Sequence, residues 1–138
     1  MDYKELVKKA EEVRKHSYSP YSGFSVGAAL LTKKGNVYTG TNVENASYSP
    51  TICAESSAIV KAISEGEREF VAVAVISSAH DEYVTPCGVC RQRIFEFGDD
   101  IKVICAKSID DYLEYSIDEL LPRGFNHDTL MRGSNNGE

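Results

Sequence analysis

Phe70-Val71-Ala72-Val73-Ala74-Val75-Ile76 is the longest uninterrupted apolar run in the chain. A strand with one wet face would alternate apolar and polar residues, so a run apolar at every position reads as a central strand covered by helices on both faces. The flanking segments supply such helices. Before the run, Thr51 to Ser64 carries Ala54, Ala58, Ile59, Ala62 and Ile63 on one stripe, with Gly66 just beyond it as a C-terminal cap. After it, a polar loop leads to Pro86, which opens a helical stretch with Cys90, Ile94 and Phe97 on one face, stopped near Gly98-Asp99-Asp100. Ile101 to Ala106 is a further apolar strand. Its link to Tyr112-Leu113-Glu114-Tyr115 is too short for a crossover helix, so that last strand is expected to pair antiparallel.

Toward the N-terminus, Leu6, Ala10 and Val13 recur at helical spacing among Lys and Glu residues, which predicts an amphipathic surface helix from Asp2 to about Lys15. Phe24, Val26, Ala28 and Leu30 alternate with smaller residues, Lys34-Gly35-Asn36 supplies turn chemistry, and Val37-Tyr38-Thr39 resumes an extended run: a hairpin. Ser116 can cap a short helix through Leu121 that Pro122 ends. This order predicts an α/β fold, a three-layer α/β/α sandwich around a five-stranded mixed sheet with its last strand antiparallel. With 138 residues, 42% of them hydrophobic, the chain can bury one core of ordinary size. Residues 1–131 are expected to form a single domain and 132–138 a polar, mobile tail.

Charge and cysteine usage narrow the function. Twenty-one acidic against 15 basic residues leave a net charge of -6, so no positive field exists to hold a phosphate backbone, and nucleic acid is not expected as a partner. The charged start Met1-Asp2-Tyr3-Lys4-Glu5 lacks the apolar core of a signal sequence, and no apolar run is long enough to span a bilayer. The expectation is a soluble cytoplasmic protein without a membrane partner. In that setting four cysteines stay reduced, which favours a metal or redox site over a disulfide framework.

Two stretches carry chemistry, Cys53-Ala54-Glu55 and Pro86-Cys87-Gly88-Val89-Cys90-Arg91-Gln92, each expected to open a helix. Cys87 and Cys90, three positions apart, lie on one side of a helical turn and can grip one ion. Zinc takes thiolate ligands at roughly 2.3 Å, and a catalytic site keeps three protein ligands with one position open. Cys53 is the expected third ligand, giving one zinc ion per chain. Helix N-termini favour thiolate over thiol, partly offsetting three negative charges on one dication. Glu55 is the expected catalytic residue, moving protons between a metal-activated water, the substrate and the leaving group without being a ligand. Its spacing from Cys53 would not share a helix face, an objection that weakens at a first turn. Cys105, inside Val103-Ile104-Cys105-Ala106, reads as core, and His16, His80 and His127 as surface residues.

At these residues the sequence resembles the cytidine deaminase family, specifically its short-chain, homotetrameric, three-cysteine type. The resemblance runs from Tyr18-Ser19-Pro20-Tyr21-Ser22 and Phe24-Ser25-Val26-Gly27-Ala28-Ala29-Leu30 through Asn42-Val43-Glu44-Asn45 and both cysteine motifs to Leu120-Leu121-Pro122-Arg123-Gly124-Phe125. It implies zinc-dependent hydrolysis of the 4-amino group of cytidine or 2'-deoxycytidine, in pyrimidine salvage. It further implies that Asn42 and Glu44 bind the ribose 3'-hydroxyl, that the Ala54 backbone meets the base edge, and that Phe24 packs on the pyrimidine. Tyr48 and Phe125 would complete the pocket of a neighbouring subunit in a homotetramer. One position departs from the pattern: many three-cysteine members carry arginine directly after Cys-Ala-Glu, and this chain has Ser56. Backbone dipoles with the Ser56 hydroxyl, or another cation such as Arg91, would have to replace it, or the nucleophile is weaker. Two alternatives stay open: a deaminase of another small cytosine compound such as blasticidin S, and a non-catalytic zinc-stabilised binding module. The Asn42/Glu44 pair argues against the first and Glu55 against the second. A polynucleotide-editing deaminase is disfavoured by the acidic charge.

Overall fold

The computed structural model describes residues 1–136. Along the chain these form α1 (Tyr3–Arg14), β1 (Val26–Thr32), β2 (Val37–Thr41), α2 (Ala54–Ser64), β3 (Phe70–Ser77), α3 (Gly88–Phe95), β4 (Lys102–Ser108), β5 (Asp111–Ser116), α4 (Ile117–Leu120) and α5 (His127–Asn136). One mixed sheet has the order β2-β1-β3-β4-β5; β3 and β4 are parallel, and the other neighbours pair antiparallel, β5 included.

Strand alternation divides the apolar residues between the two faces. Ala28 and Leu30 of β1, Val73 of β3, and Val103 and Cys105 of β4 pack with α2 and α3. Ala29, Leu31, Ala72, Ala74, Ile76, Ile104 and Ala106 turn the other way, onto Leu6, Val7 and Ala10 of α1. Both faces of β3 are thus covered, which is why its sequence is apolar throughout, and the three expected layers are present. Two glycines let helices approach the sheet at backbone distance. A Cβ on Gly27 would lie 2.0 Å from the Ala10 carbonyl oxygen of α1, and one on Gly40 would lie 2.5 Å from the Ala58 nitrogen of α2.

Two boundaries differ from expectation. Helix α2 begins at Ala54 rather than Thr51, because Ile52 pairs with Val43 and keeps the preceding residues extended. Cys53 is therefore its N-cap, in extended conformation at φ -79° and ψ 158°. At the C-terminus, the described part of the expected mobile tail, residues 132–136, continues α5, and Gly137 and Glu138 lie outside the described residues. Asn126 starts that helix: its side-chain oxygen accepts from the Thr129 N–H at 2.9 Å, a capping arrangement. No helix among the described residues is long and apolar enough to cross a membrane.

The backbone contact at Gly27 gives the first prediction. Gly27→Ala is expected to lose about 2 kcal/mol or more of stability, because the obstructing atoms belong to a helix backbone and cannot swing aside. Gly133→Ala in α5, where a Cβ meets nothing within 4 Å, is expected to be neutral or mildly stabilising. Urea midpoints of the two variants check both.

Candidate metal centre and substrate cleft

The sheet register brings distant segments to one end of the molecule. Val26 at the start of β1 pairs with Ser77 at the end of β3, and Gly27 pairs with Thr41 at the end of β2. The start of β1, the exit from β2 and the loop leaving β3 are therefore neighbours. Into that corner project the first turns of α2 and α3, capped by Cys53 and Cys87, neither of which makes a side-chain capping bond. Their sulfurs are left for other use.

The Sγ atoms of Cys53, Cys87 and Cys90 lie within 4.8 Å of one another, and those of Cys53 and Cys87 are 3.7 Å apart. Sulfurs each about 2.3 Å from one tetrahedral centre would be separated by roughly 3.8 Å, so the donor set fits a single zinc ion. All four cysteines are free. In the protein alone, the hydrogen bond with Cys53, then burial and the nearby Glu55 carboxylate, push the Cys90 thiol far above its ordinary range; the Ser56 hydroxyl pulls it down. A dication reverses that balance, because it favours the thiolate directly. Cys105, buried in β4, is pushed up to about 12 chiefly by burial, as befits a core thiol.

A neutral contact stands at the position after Cys53-Ala54-Glu55. Ser56 is buried with its Oγ 3.2 Å from Cys90 Sγ. Arg91 spends its donors elsewhere: Nε on the Pro86 carbonyl at 2.7 Å, Nη1 on the Leu120 carbonyl at 2.9 Å and Nη2 on Thr85 Oγ1 at 3.3 Å. Of the two side chains considered for the role, the structure places the serine hydroxyl on the sulfur and gives the arginine the task of gripping the loop before α3. Tyr83 holds the same loop from its other side, donating to Asp111 Oδ1 at 2.7 Å with the Lys107 ammonium 4.4 Å above its ring.

A cavity of about 240 Å³ opens beside the sulfurs, lined among others by Phe24, Asn42, Ala54 and Glu55. Glu55 is 4% exposed, and burial pushes its carboxyl up. The spacing objection disappears here: Cys53 is a non-helical cap and Glu55 sits in the first turn, so helical periodicity does not relate their side chains. Asn42 is oriented by unambiguous partners. Its Oδ1 accepts from the Val26 N–H at 2.9 Å and from the Ser17 hydroxyl, and its Nδ2 donates to the Phe24 carbonyl at 2.8 Å. One amide N–H remains.

Glu44 lines an adjoining cavity of about 390 Å³ with Tyr21, Ser22, Asn45 and Tyr48, and Thr51 lines both cavities. Tyr48 is 75% exposed at φ 64°, a left-handed conformation that is costly for a tyrosine. The turn is held by Tyr48 N–H to the Asn45 carbonyl and Thr51 N–H to the Tyr48 carbonyl, both at 2.9 Å. Phe125 lines neither cavity; the residue is 54% exposed and its carbonyl accepts from Gln92 of α3 at 2.7 Å. Val26, Thr51, Ile52, Val84 and Thr85 also line the two cavities and were not singled out from sequence. Their signal was only adjacency to the motifs.

If the three sulfurs hold the ion, Cys53→Ala, Cys87→Ala and Cys90→Ala each drop the zinc content well below the about one ion per chain of the parent, whereas Cys105→Ala leaves it unchanged. Metal analysis of the purified variants decides.

Comparison with known proteins agrees with this geometry. A family model described as the cytidine and deoxycytidylate deaminase zinc-binding region matches residues 1–107. A cytidine deaminase of Halalkalibacterium halodurans is 48% identical over 126 residues, which cover 91% of this chain and 95% of that protein. A probable cytidine deaminase of Dictyostelium discoideum is 44% identical over 134 residues, covering 95% and 90% respectively. A crystal structure of cytidine deaminase from Burkholderia pseudomallei superimposes with a TM-score of 0.86 at 41% identity, covering 91% of this chain and all of that one. A blasticidin-S deaminase of Bacillus cereus is more distant, 30% identical over 104 residues. With three sulfurs placed for zinc and relatives of this closeness over nearly its whole length, the chain belongs to the cytidine deaminase family.

Proposed function

We propose that the protein hydrolyses the 4-amino group of cytidine and 2'-deoxycytidine, releasing uridine or 2'-deoxyuridine and ammonia. The observation that carries this reading is the buried Glu55 carboxylate, which shares one small cavity with Cys53, Cys87 and Asn42. Held by Cys53, Cys87 and Cys90, zinc supplies the Lewis acidity that makes water a usable nucleophile near neutral pH. Glu55 takes a proton from the attacking water and places it on ring N3 as oxygen bonds to C4. It then carries the second proton to the amino nitrogen as the C4–N4 bond breaks. Burial pushes the Glu55 carboxyl up, toward taking a proton, while a zinc ion held beside it would favour the charged form. The Ala54 backbone and the Phe24 ring, which line the cavity, position the base.

The sugar contacts follow from donor and acceptor capacity. A hydroxyl both donates and accepts. The spare Asn42 N–H can only donate and ionised Glu44 can only accept, so the pair is matched to a 3'-hydroxyl and repels a 3'-phosphate. Neither contact touches the 2' position, which is why both nucleosides are assigned. A homotetramer with shared sites is supported by Tyr48 and Phe125, large aromatics left bare on the single chain, one of them on a strained turn. A cytoplasmic setting fits ligands that must stay reduced, and recovery of pyrimidine nucleosides fits the reaction.

Purified wild type and Glu55→Ala, incubated with cytidine, 2'-deoxycytidine and CMP, test the proposal by ultraviolet absorbance with zinc measured on the same samples. Wild type is expected to convert both nucleosides and not CMP, and the variant to keep its zinc while losing about 1000-fold or more in rate. Zinc-loaded wild type that converts neither nucleoside overturns the substrate assignment. In size-exclusion chromatography the active species is expected to run as a tetramer, and an active monomer would exclude shared sites.

A further inference from the structure

Glu44 does not face its cavity as a free carboxylate. Its Oε1 accepts from the backbone N–H groups of Tyr21 at 3.0 Å and Ser22 at 3.1 Å, and its Oε2 accepts from the Ser22 hydroxyl. That hydroxyl in turn accepts from the Phe24 N–H at 3.0 Å, so its single proton is directed onto Glu44. The loop closes on itself through Gly23 N–H to the Ser19 carbonyl at 3.0 Å, with Gly23 at φ 70°, and Glu44 N–H donates back to the Tyr18 carbonyl at 2.9 Å. Among the described residues, Ser22 is thus the one side chain bonded both to the proposed sugar carboxylate and to the backbone of the proposed pyrimidine wall.

We infer that Ser22 sets the discrimination at the sugar 3' position, acting as a positioning residue that holds Glu44 as a fixed acceptor in register with Phe24. The inference rests on the assignment of Asn42 and Glu44 to the 3'-hydroxyl. The two backbone donors both hold Oε1; the hydroxyl alone fixes Oε2, and with it the orientation of the carboxylate plane. The same bond, followed by the Ser22 and Tyr21 N–H groups and opposed by desolvation, keeps the Glu44 carboxyl below its ordinary range. Glu44 therefore remains an acceptor throughout the neutral range and offers the substrate no proton of its own. A substrate hydroxyl that donates to it finds the geometry already set, which is where specificity at a polar contact comes from.

The test compares 2'-deoxycytidine with 2',3'-dideoxycytidine, which lacks only the 3'-hydroxyl, on wild type, Ser22→Ala and Ser22→Thr, with zinc content measured on each. Wild type is expected to prefer 2'-deoxycytidine. In Ser22→Ala the kcat/KM for 2'-deoxycytidine falls roughly tenfold, mostly through KM, as for loss of one hydrogen bond to a charged group. The dideoxy compound loses less, only what the missing partner of the Phe24 N–H costs, so the preference narrows, and Ser22→Thr, which keeps the hydroxyl, restores it. A Ser22→Ala enzyme that loses equally on both compounds, or on neither, while wild type discriminates, overturns this inference alone. Equal use of both compounds by wild type overturns the sugar assignment, and this inference with it.

Discussion

Three sulfurs within 4.8 Å of one another form an arrangement that a folded chain holds only if something offsets their mutual repulsion once ionised. A bound dication is the larger means and helix starts are the chain's own, and the architecture delivers two of them. The β3–α3–β4 crossover puts the start of α3 just beyond the end of β3, and the bridge between Val43 and Ile52 delivers Cys53 to the same corner as the cap of α2. Partial positive charge at both first turns then lies at the corner that holds the sulfurs. The Ser56 hydroxyl adds a short neutral contact on the most buried of them. Arg91 contributes differently, by tying Thr85 and Pro86 of the loop before α3 to Leu120 of α4.

Much of this was legible in the amino-acid order because burial imposes a period. Apolar residues at every position of Phe70–Ile76 can mean little else than a strand covered on both faces, and the short link before Tyr112 leaves little alternative to an antiparallel last strand. The cysteine spacing likewise reports a local geometry, one helical turn, which is why Cys87 and Cys90 could be paired without a structure. What stayed hidden depends on contacts between distant segments. Nothing near Thr51 says that Ile52 will bridge to Val43 and delay the helix to Ala54. Nothing in Cys-Arg-Gln says that the arginine will bind three backbone and hydroxyl oxygens rather than a sulfur. The helix from His127 carries an ordinary cap signal in Asn126, but few apolar residues follow it to mark a buried face.

The site also separates two carboxylates that sequence alone would treat alike. Glu44 lies at the surface with three donors aimed at it, so its charged form is favoured and it serves as a constant acceptor. Glu55 sits in the first turn of α2 with little access to water, and burial pushes its carboxyl up. Environments that push two pKa values apart sort such groups into roles. In the proposed reaction the residue that must exchange protons is the one whose charge is costly to keep, and the residue that must only hold a hydroxyl is the one whose charge is cheap. Exchanging the two settings would defeat both tasks. A clasped, low-pKa Glu55 would be slow to take up a proton, and a buried, unclasped Glu44 would be free to protonate and turn from acceptor to donor. The distribution of hydrogen-bond donors around the two side chains, more than the presence of two glutamates, is therefore what the proposed chemistry requires of this fold.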